Sequence, residues 1–218
     1  MRFPFSIQLT AGVLCLLLNS TASAAITWLD QSGFSGSETV VDYSNGALFT
    51  PVDGQIIDGV AHGFTVGGAA SADATIDILL GVTDFITLES IEGDANGVLS
   101  FSFGSTQTRL GFGWALTTAT GGTIELFDNL DVSLGALPFS GAPDSLYGFE
   151  TGFAGIESDM PFARAEVTWN GNGRFAVDDL HFESNRVVPV FEPASLPLVL
   201  IGSLLLAAFR IESTRKVR

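Results

Sequence analysis

Apolar residues recur at every second position in several short stretches of the chain. Leu99, Phe101 and Phe103 alternate with Ser100 and Ser102. Leu110, Phe112, Trp114 and Leu116 alternate with Arg109, Gly111, Gly113 and Ala115, and Ala163, Ala165, Val167 and Trp169 alternate with Arg164, Glu166 and Thr168. A period of two puts each set on one face of a strand, so these stretches predict half-buried β-strands. Gly121-Gly122, Asp128-Asn129 and Asn170-Gly171-Asn172-Gly173 carry turn chemistry between them. From Ala25 to Glu183 no long segment follows a helical period, and no repeat of fixed length argues for a propeller or solenoid. The prediction is an all-β body, a β-sandwich of jelly-roll type.

One stretch breaks the alternation. In Arg174–Glu183, Phe175 and Val177 share one parity while Leu180 and Phe182 share the other. A regular strand cannot bury both pairs on one face, so a β-bulge is expected at Asp178-Asp179. A bulge would turn both carboxylates sideways, toward an N-terminal acid such as Asp30 or Asp42. Oxygen ligands of that kind suit a structural calcium ion. The plainer alternative is a carboxylate pair that caps a turn or accepts from exposed amides. No spacing in the chain matches a defined calcium loop.

The two ends follow neither period. Arg2 precedes an apolar run from Ile7 to Leu18, and Ala22-Ser23-Ala24 supplies small residues at a cleavage site. That layout predicts a secretory signal peptide over residues 1–24, removed after Ala24 by signal peptidase. Cys15, the only cysteine, would leave with it, so the mature chain would have no disulfide and no thiol. At the other end, Pro193 to Phe209 has no charge. As a helix it would extend about 25 Å, near the lower limit for a membrane span. Arg210, Arg215, Lys216 and Arg218 follow against a single Glu212. Basic residues beside a span favour the cytoplasmic side, which leaves the body outside. The domains expected are thus 1–24, a body over 25–187, and a C-terminal element over 188–218. The last divides into a transmembrane helix at about 193–209 and a basic tail at 210–218.

Charge narrows the functions. The 218 residues carry a formal net charge of −15, and from Ala25 to Val187 four arginines and no lysine stand against 22 acidic residues. Such a body repels nucleic acid. It would attract divalent cations, or simply stay soluble on export. Gly171-Asn172-Gly173-Arg174-Phe175-Ala176 fits a dinucleotide fingerprint on paper, but it lies between two strand patterns and reads as a hairpin turn. His62 and His181, the only histidines, have no metal-ligand spacing, and each reads as a lone surface or strand histidine. There is no G-x-S-x-G elbow. Glu89, Glu125 and Glu166 sit on strand patterns and could form a carboxylate pair for glycosidic cleavage, although surplus acids make such a pair uninformative. Trp28 and Tyr147 are the candidates for stacking on sugars, whereas the Phe-rich strands read as core.

The C-terminal element resembles the PEP-CTERM sorting signal, in which Val-Pro-Glu-Pro precedes a leucine-rich helix and a basic end. The matching residues are Val188, Pro189, Glu192 and Pro193, then Ala194, Ser195 and Leu196; Phe191 stands where that pattern has its first proline. Arg109 to Asp128 and Arg174 to Glu183 also resemble jelly-roll bodies common in PEP-CTERM proteins, which end in a Phe-x-(Ile/Val)-Asp-(Asp/Asn)-(Leu/Val)-x-Phe strand. The resemblance implies an exosortase-type membrane enzyme as processing partner, with Pro189, Phe191, Glu192 and Pro193 as the sorting motif. It also implies a setting at the cell surface or in an extracellular polysaccharide matrix. The expected function is a sorted surface protein whose body is structural or glycan-binding. A secreted polysaccharide hydrolase and an uncleaved single-pass membrane protein are the alternatives.

Overall fold

A computed structural model describes residues 24–78, 83–87, 89–117, 121–144 and 148–184. The expected signal peptide up to Ser23, the sorting motif, the 193–209 span and Tyr147 lie outside these residues. No helix among the described residues is long and apolar enough to cross a membrane.

The body is built from strands, with one short 3-10 turn at Gln31–Gly33 and no α-helix among the described residues. Two strands of 20 residues organise it: β8 (Gly97–Leu116) and β12 (Glu150–Trp169). They pair antiparallel along most of their length. The first half of β8 also pairs with β4 (Val60–Val66), and the second half of β12 pairs with β9 (Gly122–Phe127), which carries β10 (Ser133–Phe139). The short β3 (Ile56–Ile57) and β5 (Ala69–Ala70) complete this layer on β4. The second half of β8 pairs with β13 (Arg174–Glu183), which carries β7 (Glu89–Asp94), and β7 carries β6 (Thr75–Ile78). The edge strands β1 (Ile26–Trp28) and β11 (Ala142–Pro143) lie on the first half of β12, and β2 (Thr39–Val41) lies on the end of β13.

These pairings form one hydrogen-bonded network that folds over on itself as a sandwich. The ring centroids of Phe101 and Phe112 are 6.1 Å apart. Eleven residues of straight strand would separate them by roughly 36 Å. Strand β8 therefore turns back between them, at the exposed residues Gly104 to Thr106. Strand β12 turns at the same level, through exposed Asp159 to Pro161, and the β8–β12 register shifts there. The two halves of each strand then belong to opposite layers.

The core between the layers is aromatic. Trp169 stacks on Phe175 at 4.7 Å, and Trp114, Phe139 and Phe112 meet edge to face around them. Trp114, Phe64, Phe101, Phe112 and Phe175 are fully buried. The alternation expected over 99–103 and 163–169 is observed except at its ends, where Phe103 and Ala163 are only partly buried. The expectation of a half-buried strand fails over 109–116, where every residue is buried. The cause is the glycine face. A Cβ at Gly113 would collide with the Phe85 carbonyl, and one at Gly155 with the Leu29 carbonyl. Two chain segments lie directly on this face, so both sides of the layer are covered.

The Gly171–Gly173 turn also differs from expectation. It is not a hairpin, because β12 and β13 flank β8 and do not pair with each other. It is an arch from one layer to the other, held where the Ala95 amide donates to the Gly173 carbonyl and the Asn170 amide to that of Gly121, both at 2.9 Å. Asp128-Asn129 does make a hairpin, between β9 and β10, with Asp128 Oδ1 accepting from the amides of Leu130 and Val132.

Candidate functional site

The expected bulge is present. The register of β13 on β8 shifts between Asp178 and His181, and Asp179 has φ of 47°. This adds one residue to β13 and moves Leu180 onto the parity needed to bury it. It also marks where the outer neighbour of β13 changes from β7 to β2. Asp178 is buried. Its Oδ2 accepts from the Thr87 amide at 2.8 Å and the Thr87 hydroxyl at 3.1 Å, and its Oδ1 accepts from the Asp179 amide. Burial pushes the Asp178 carboxyl above its usual range, partly offset by the Thr87 amide, with Asp179 adding to the rise. Burial also raises the Asp179 carboxyl, against the pull of His181 and with a push from Asp42. Of the two N-terminal acids, Asp42 acts electrostatically on Asp179, while Asp30 begins the 3-10 turn. Among the described residues no group of three or more His, Cys, Asp or Glu side chains is placed to hold a metal ion. What the geometry displays at Asp178 is a buried acceptor pinning the segment at Thr87 to the sheet.

Both histidines are on strands, but neither is at the surface. His62 is buried between Tyr43 and Phe101, with Nδ1 3.0 Å from the Val60 carbonyl. His181 is buried against Phe34 and Phe153, and its Nδ1 is 3.6 Å from Glu38.

The glutamates separate. Glu89 lies on β7, whereas Glu125 and Glu166 are direct cross-strand partners on β9 and β12. Both of these are engaged: Glu125 accepts from the Ser133 hydroxyl at 2.6 Å, and Glu166 pairs with Arg164. The Arg164 guanidinium also lies over the Phe127 ring, 3.8 Å from its centroid, and reaches Asp131.

Trp28 is the sugar-stacking candidate that the described residues include. It is 48% exposed on the edge strand β1, opposite Ile156. It lines an open pocket of about 190 Å³ with Pro138, Phe139, Ser140 and Phe153. No lining residue is charged, in a body dominated by carboxylates. A second pocket, of about 150 Å³, lies where Arg174 borders Ala115 and Ala176, and that guanidinium is already held by Glu92 and Asp73.

Sequence reasoning missed the partners of Trp28, because Pro138 and Phe153 are far from it along the chain. It also missed the buried guanidinium of Arg109, which binds Glu157 at 2.8 Å, Glu183 at 3.2 Å and the Gly33 carbonyl at 3.0 Å. The two glutamates are its cross-strand neighbours, so only the register could have revealed them.

No family model matches the chain, and no curated protein matches it. Among solved structures, the K2 adhesin domain of Lys-gingipain is similar over 69% of this chain and 99% of its own, at 9% identity and a TM-score of 0.45. A variant of a family 29 carbohydrate-binding module is similar over 74% of this chain and 94% of its own, at 14% identity and a TM-score of 0.40. The enzymatically active domain of a bacteriophage CBA120 tailspike is similar over 65% of this chain and 21% of its own, at 16% identity and a TM-score of 0.37. Likenesses this distant describe a shared β-rich outline, and no ligand or activity is taken from them.

Proposed function

We propose that this chain is an exported cell-surface or matrix protein with a non-catalytic, jelly-roll-like body that binds neutral polysaccharide. Its destination is read from the two ends: a signal peptide cleaved after Ala24, and a PEP-CTERM-like signal with Pro189, Phe191, Glu192 and Pro193 presented to an exosortase-type enzyme. The observation that carries the binding reading is the uncharged pocket lined by the half-exposed Trp28. The C–H face of a sugar ring suits an aromatic plane, and a few polar groups such as the Ser140 hydroxyl can orient its hydroxyls. The net negative charge of the body disfavours anionic glycans.

Binding is checked by co-sedimentation with insoluble neutral polysaccharides and by titration with their oligosaccharides. Trp28→Ala is expected to weaken binding about tenfold or more, a loss of roughly 1.4 kcal/mol, with the melting temperature nearly unchanged. Absence of binding to every neutral polysaccharide tried would reject this reading.

A hydrolase is the second reading, and the cross-strand Glu125–Glu166 pair favours it. Retaining glycoside cleavage uses two carboxyl groups about 5–5.5 Å apart, and this pair starts from directly opposed positions on neighbouring strands. Reducing-sugar release by the wild-type protein that disappears in Glu166→Gln would establish it over the non-catalytic reading.

A further inference from the structure

The backbone nitrogen of Ala25 donates to Asp159 Oδ1 at 2.7 Å. In return, the Asp159 amide donates to the Ala25 carbonyl at 3.1 Å. Asp159 thus grips a single residue with both its side chain and its main chain. It stands in the exposed bend of β12, one residue beyond Ser158, which pairs with Ile26 at the start of β1.

We infer that removal of the signal peptide after Ala24 converts this hydrogen bond into an ion pair between the new α-ammonium group of Ala25 and the Asp159 carboxylate. Hydrolysis of the Ala24–Ala25 peptide bond by water leaves a carboxylate on the signal peptide and an amine on Ala25, which takes up a proton at neutral pH. An amide nitrogen offers one hydrogen and no charge, whereas an ammonium offers three and a full charge. The acceptor is already in position, so the pair forms without rearrangement. This inference rests on the signal-cleavage part of the function proposed above. Its consequence is structural: the pair fixes the open end of β1, and the other end of that three-residue strand carries Trp28. Export would thereby complete the edge on which the proposed sugar pocket stands.

The composition makes the idea directly testable. Lys216 carries the only side-chain amine in the sequence. In the exported protein, amine-directed acetylation therefore reports the α-amino group; Lys216 is resolved as a separate peptide by mass spectrometry where the C-terminal segment is retained, and is absent where it has been cut away. The rate of α-acetylation is measured against pH in the wild type and in Asp159→Asn. The wild-type α-amino pKa is expected above the ordinary range of about 7.7–8.0, and within that range in the variant. Acetylation is expected to lower the melting temperature of the wild type by about 1–3 °C and to leave Asp159→Asn unchanged, as for one exposed ion pair. A native α-amino pKa above its unfolded value makes this contribution complete below about pH 7.7, and it fades as pH rises through the native value. An ordinary pKa in both proteins, with Ala25 as the first residue, would overturn the ion pair alone. N-terminal sequencing that begins at any other residue would overturn the cleavage premise.

Discussion

His62 alternates with Val60 and Phe64 on β4, and all three point into the core. Burial lowers its pKa to about 4, against a smaller opposing effect of the Val60 carbonyl. The native imidazole is then neutral where an unfolded chain, with the ordinary value of 6.5, takes up a proton. Stability should fall as pH drops through 6.5 toward 4, with a loss from His62 of about 2 kcal/mol between pH 7 and pH 5. Asp178 and Asp179 act in the opposite sense, because carboxyls with raised native values bind protons before the unfolded chain does. Urea unfolding at the two pH values is expected to show a smaller loss for His62→Phe than for the wild type. An equal loss would remove His62 from the account. The sequence contained this result, since Val60-His62-Phe64 alternates like any core strand. It was hidden because a histidine is read as polar until its neighbours are known.

Among the elements, β8 is the one whose sequence pattern was both correct and incomplete. Leu110, Phe112, Trp114 and Leu116 do face the core. The opposite face, with Gly111 and Gly113, looked open because glycine is silent in a hydrophobic pattern. Its role is absence: the segment at Phe85 lies where a side chain would be. Gly113→Ala should therefore destabilise the protein by about 1–3 kcal/mol through overpacking, read as an earlier urea midpoint. A neutral substitution would show that the covering segment yields freely. The bulge at Asp178-Asp179 was legible for the converse reason. Its apolar neighbours on β13 change parity, and a strand buried on one face can absorb that only by adding a residue.

For the whole molecule, the C-terminal element makes its own prediction. If the proposed sorting signal is processed, mass spectrometry of the mature protein from native cells is expected to recover no peptide containing Ile201 to Phe209, since an exosortase-type cut near Glu192-Pro193 would remove that segment. Such peptides in the mature pool would favour the uncleaved single-pass alternative. Sequence alone determined the all-β class, several strand faces and the bulge. Each of these is written in local periodicity or in composition, and needs no knowledge of what lies opposite. Tertiary structure alone decided that β8 and β12 fold back across two layers, and that the Gly171–Gly173 turn is an arch rather than a hairpin. It alone set Trp28 beside Phe153 and Pro138, and Ala25 against Asp159. Those contacts join residues more than a hundred positions apart, and a one-dimensional pattern carries no term for register or for the bending of a strand.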